Sequence, residues 1–226
     1  MDGSPFDRVS AFFTGDALDL AVKALRSYYG PDHHYTGSAF DELILSSHPN
    51  RYTSDDLVAV SMLSVTVPPR AALNLLAGVA NRLLAAIPTS ASLWEQPGLL
   101  DRDGVAWQLW TIVSQHDGIG PTITSKLLAA KRPRLIPVRD QFVTAALTIS
   151  DSEWAFWQAV ARDPNLSVLL SGVEKARKLA GVPDYVSVLR VIDVVVWMRQ
   201  HGWTMHTADC RLGCELAAIG LDAVDP

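Results

Sequence analysis

Residues 116–143 read HDGIGPTITSKLLAAKRPRLIPVRDQFV and hold the side chains of this chain whose types and spacing could do chemistry. Gly118-Ile119-Gly120 lies between two segments of helical periodicity, so it reads as a hairpin in which glycines adopt angles closed to other residues and leave the backbone open to close approach. The amides of such a turn, with the N-terminus of the next helix, form an anion site suited to a phosphate. Pro121 fits the first helical position, where its missing N–H costs nothing. Thr122 and Thr124 offer hydroxyl donors, Lys126 lies one turn beyond Thr122, and Lys131 and Arg132 extend the cationic run. Twenty-two positions after Gly118 stands Asp140, the only acid between them and the end of the run. It reads in two ways, as a carboxylate serving a site or as the N-cap of a helix over 141–147.

The elements that must position these residues are helical almost throughout. The pattern predicts a helix over 16–29 capped by Thr14, a short one over 38–45, and another from Thr53 or Ser54 to residue 64. Pro68-Pro69 opens what reads as a single long amphipathic helix, with Leu73, Leu76, Ala80, Leu83, Leu84 and Ile87 at spacings of three and four until Pro88. A loop over 89–104 leads to a helix over 105–115 and then to the hairpin. Beyond Asp140, residues 150–153 read as a capping box, Asn165 opens a helix that closes at Gly181, and residues 184–200 are apolar nearly all round, as in a central buried helix. Some ten helices are expected in one all-α domain with two lobes.

The pattern LWTIVSQHDGIGPTITSKLL resembles the helix-hairpin-helix motif. With the downstream Pro137, Asp140 and Val143 at their intervals, the stretch over 105–143 is similar to the helix-hairpin-helix DNA glycosylase superfamily. That resemblance implies a two-lobed helical fold and duplex DNA as partner, bound through Gly118, Ile119, Gly120, Thr122, Thr124, Lys126, Lys131 and Arg132. It also implies removal of a damaged or mispaired base with Asp140 as the catalytic carboxylate, whose charge would stabilise an oxocarbenium-like transition state beside a flipped nucleotide. The family's lysine nucleophile corresponds to Thr122, which cannot form a Schiff base, so the expected activity is monofunctional. The four-cysteine iron-sulfur motif is missing, and no cofactor is expected. The alternative is a non-catalytic DNA-binding or protein-interaction module on the same scaffold. Over most of its length the chain also resembles an uncharacterised actinobacterial family, through the YTG of residues 35–37, VPPRAALNLL and KRPRLIPV.

Composition bounds these readings. The chain has 226 residues, 49% of them hydrophobic, and carries a net charge of −5. Against that acidity residues 118–140 net +4, so any phosphate contact is expected there. No apolar run is long enough to span a bilayer and no basic leader opens the chain, so a cytoplasmic protein without membrane contact is expected. His201, His206, Cys210 and Cys214 cluster in sequence but match no familiar zinc spacing, so no metal is expected and buried thiols are the default. Asp193 interrupts the most apolar helix and should have a partner, such as an arginine from another segment. His33 and His34 read as part of a solvated turn, and the tryptophans as core.

Overall fold

The protein, described here by a computed structural model over residues 3–31 and 35–204, is all-α among the described residues. Twelve α-helices follow one another: α1 (Pro5–Ser10), α2 (Ala17–Tyr29), α3 (Phe40–Leu43), α4 (Ser54–Ser61), α5 (Pro69–Leu76), α6 (Asn81–Ala86), α7 (Val105–Ser114), α8 (Pro121–Lys131), α9 (Gln141–Ala146), α10 (Glu153–Ala161), α11 (Leu166–Ala180) and α12 (Val188–Thr204). Short 3-10 turns over Thr36–Ala39, Ile44–Ser46 and Pro97–Leu100 complete the order. The chain divides into two compact units, Thr36–Arg139 and the pair of stretches Met1–Tyr35 and Asp140–Pro226.

In the Thr36–Arg139 unit α8 is the buried axis, packed against α4 and α7. Every residue from 124 to 131 on it is buried. Leu127 and Leu128 are wholly enclosed, each contributing roughly 1.5–3 kcal/mol by leaving water. The expected long helix after Pro68-Pro69 is two helices. Gly78, with φ of 96°, takes the chain through a left-handed turn that α-helical geometry cannot continue, and α6 restarts at Asn81. Leu73 and Leu76, assigned to a buried stripe by their spacing, are exposed. α4 carries the expected cap in full form, as Thr53 and Asp56 close a capping box.

In the other unit α12 is the core, with Val191, Ile192, Val194, Val195 and Val196 fully buried against α2, α9 and α11. It starts at Val188, so Asp184 lies outside it. α2 begins at Ala17 with no side-chain cap from Thr14. α10 is capped by Ser152 alone, whose hydroxyl accepts from the Ala155 amide, so Ser150 takes no part. α11 runs from the N-cap position Asn165, whose side chain makes no capping hydrogen bond, to its left-handed C-cap Gly181. Asp193 does have an arginine, but from its own helix: Arg190 pairs with it one turn earlier and donates to the Tyr28 hydroxyl at 2.6 Å. Trp154 and Trp157 are core, whereas Trp107, Trp110 and Trp197 are half-buried.

Candidate functional site

α7 ends at Ser114 because Gln115 to Gly120 turn the chain, and Gly118 carries that turn at φ of 79°. The turn is tied by the Ile119 amide donating to the His116 carbonyl at 2.9 Å, with the Ile119 side chain buried beneath it. A Cβ at Gly118 would also stand 2.8 Å from Cγ of Pro68, the N-cap of α5, so the start of α5 seats the hairpin. Asn74 Nδ2 and His116 Nδ1, 3.5 Å apart, join the same two parts. Asp117, Gly118, Gly120 and Pro121 are exposed and Thr122 is half-buried.

Gly120 is the N-cap of α8 with an ordinary φ of −87°, and nothing lies within 4 Å of a Cβ placed there. Its glycine is therefore required neither by conformation nor by packing. The amides of Thr122 and Ile123, in the first turn of α8, have no intrahelical acceptor and point back along the axis towards the exposed tip. The local geometry is that of an open, amide-lined helix start.

The cations do not join it. Lys126 and Lys131 are each 5% exposed and Arg132 is 1% exposed, and all three are spent on internal partners. Nζ of Lys126 donates to the Leu63 carbonyl at 2.6 Å, at the C-terminal end of α4. Nζ of Lys131 pairs with the buried Asp56 and donates to the Ser47 hydroxyl and the His48 carbonyl. Arg132 closes the end of α6 through the carbonyls of Leu84 and Ile87 and also reaches Pro49 and Asn50. Burial lowers the pKa of Lys131, an effect that Asp56 opposes, and likewise lowers that of Arg132. Thr124 is buried too, its hydroxyl donating to the Gly120 carbonyl at 3.0 Å. Thr124, Lys126, Lys131 and Arg132 are thus at odds with the phosphate contacts expected of them, because helix-end carbonyls and Asp56 already occupy their donors. Gly118, Gly120 and Thr122 remain at the surface.

Asp140 is half-buried and is the N-cap of α9, its Oδ1 accepting from the Phe142 amide at 2.8 Å. Within the Thr36–Arg139 unit, the loop over 137–139 is tied to α8. Ser125, buried and not singled out by the sequence, donates to the Pro137 carbonyl at 2.8 Å and accepts from the Arg139 amide at 2.7 Å. A second unforeseen neighbour is His201, whose buried ring lies 4.7 Å from that of Phe142 and 4.4 Å from that of Trp197. Burial lowers its pKa, partly offset by the negative charge of Asp140. The His201 contacts come from folding and carry no local sequence signal. Arg70 is a further omission, an exposed cation on the first turn of the helix whose cap meets Gly118. Of the histidine-cysteine cluster, His206, Cys210 and Cys214 lie outside the described residues, as do His33 and His34. No group of three metal-ligating side chains occurs among the described residues.

A family model covering residues 21–200 matches this chain. The chain belongs to the DUF6308 family. That family is described as one of unknown function, and its match takes in the hairpin, Asp140 and α12 up to residue 200. No curated protein and no solved structure matches this DUF6308 protein.

Proposed function

We propose that this DUF6308 protein binds the phosphate backbone of duplex DNA through the α7–α8 hairpin and removes a damaged or mispaired base with Asp140. The observation that carries the reading is the open helix start at Gly120, where neither backbone angle nor packing accounts for glycine but close approach of a ligand would. The contacts are the backbone amides of Gly118, Gly120 and Thr122, and they position the duplex without reading its sequence. Asp140, ionised beside the sugar, would stabilise the cationic transition state as the N-glycosidic bond breaks, and Thr122 leaves no amine for strand cleavage. The resemblance over residues 105–143 supports this chemistry, and the cap bond from the Phe142 amide supports a set orientation of the Asp140 carboxylate.

One observation favours a non-catalytic module instead: Oδ1 of Asp140 makes the hydrogen bond of an ordinary helix cap. Two measurements separate the readings. Gly120→Ala should keep the melting temperature and weaken duplex binding by roughly tenfold, the loss of about one charge-assisted hydrogen bond. Unchanged affinity would sink the hairpin grip. A panel of lesion-bearing and mismatched duplexes, cleaved with alkali after incubation, should reveal abasic sites that Asp140→Asn abolishes while binding persists. Binding without product on any substrate would establish the module.

A further inference from the structure

His201 and Asp140 share one neighbour, Phe142. Its ring is enclosed between Phe142 on α9 and Trp197, one turn earlier on α12. The same Phe142 is tied through its amide to the Asp140 carboxylate, so one turn of chain fixes both the carboxylate and one wall of the imidazole. We propose that Asp140 and His201 form a single electrostatic unit in which His201 is a positioning residue, leaving the Asp140 charge uncancelled when neutral and cancelling it when protonated.

The argument is one of charge. The role proposed for Asp140 needs a net negative site, and this inference rests on that reading. An imidazolium next to a carboxylate brings the pair to zero, while a neutral imidazole leaves it at minus one. Burial between two rings penalises the imidazolium and favours the neutral imidazole. Other charges on the packed elements are exposed or occupied elsewhere: Asp19 and Lys23 of α2 and Lys175 of α11 are exposed, and Arg26 of α2 donates to the Leu179 carbonyl. Arg190 pairs with Asp193 and donates to Tyr28 of α2, and Arg199 lies over the Phe12 ring. On α11, Glu174 pairs with Arg177 and Lys178, and α9 carries no titratable side chain beyond its cap. Among the described groups, the negative charge of Asp140 opposes the effect of burial on the imidazole.

The test needs no DNA. In the full chain, nuclear magnetic resonance titration of the His201 ring should give a midpoint below about 6.5, the ordinary histidine value. The Asp140 carboxyl carbon should show an inflection at that same pH. Asp140→Asn should then move the His201 midpoint lower still. Asp140→Ser, which retains a capping oxygen, is the second variant should the first fail to fold. A carboxyl carbon with no inflection at the His201 midpoint, or a midpoint unmoved by either folded variant, overturns the proposal. Where abasic product forms, its rate should fall with acid through the His201 midpoint, and His201→Gln should remove that acid limb. Coupling without product would overturn the glycosylase reading and leave the pair standing; product without coupling would do the reverse.

Discussion

A buried cation survives only where donors meet acceptors, and Lys126 and Arg132 meet theirs at helix ends. Carbonyls at a helix C-terminus lack intrahelical partners and carry partial negative charge, so an ammonium at Leu63 and a guanidinium at Leu84 and Ile87 satisfy both deficits. Lys131 differs, because its partner Asp56 is itself fully buried and also completes the capping box of α4. Removing one member of such a pair strands the other, whereas removing both restores neutrality. Lys131→Met and Asp56→Asn should therefore each cost about 3–5 kcal/mol. The combination Lys131→Met with Asp56→Asn should cost less than the sum of the single changes, read from urea unfolding. Lys131→Met, where still folded, should leave duplex affinity unchanged. A loss of affinity at full folding would return Lys131 to the phosphate contacts.

The hairpin is the element on which both packing and binding readings converge, and its two glycines separate them. Gly118 is required by its left-handed φ and by Pro68 packed against it, while Gly120 is under neither constraint. Gly118→Ala should thus destabilise the protein by about 1–3 kcal/mol, a loss visible in the melting temperature without any ligand. A stable Gly118→Ala protein would mean that the turn relaxes easily and that Pro68 does not seat it. The same contrast shows what was legible in sequence. The turn, Pro121 at the first helical position, α11 with its two end positions and the all-round apolar α12 follow from local rules. The break at Gly78 does not, since apolar spacing continues through it and only the backbone angle distinguishes a tolerated glycine from a terminating one. Nor does the fate of the α8 cations. A charge run looks alike whether it faces water or helix ends brought from 45 to 84 residues away, and the partners are set by tertiary packing. Asp140 as a cap was one of the two readings its position offered, whereas its neighbour His201 is sixty-one residues on and had no local signature.

For the molecule as a whole, the acidic balance now has consequences for any encounter with DNA. The net charge is −5, and three of the five cations between the hairpin and Asp140 are neutralised or enclosed within the protein. Among the described residues, no helix is long and apolar enough to cross a membrane. Duplex affinity driven by lysine and arginine contacts falls with salt at a logarithmic slope of about −0.9 for each phosphate neutralised. Backbone amides at a helix start attract phosphate through partial charges and displace few counterions, so they add little to that slope. A hairpin supported only by exposed Arg70 should therefore show a slope of about −1 to −2 between 50 and 200 mM salt. Recruitment of Lys126, Lys131 and Arg132 would add nearly three more phosphates and bring the slope to about −4. Fluorescence anisotropy of a labelled duplex across that salt range distinguishes the two. The steeper slope would require the buried cations to leave Leu63, Asp56 and the end of α6, and so would overturn their assignment as internal partners. The shallow slope would place the grip on the amides of Gly118, Gly120 and Thr122, with modest affinity and little resistance to competing anions such as inorganic phosphate, which should displace the duplex from the same helix start.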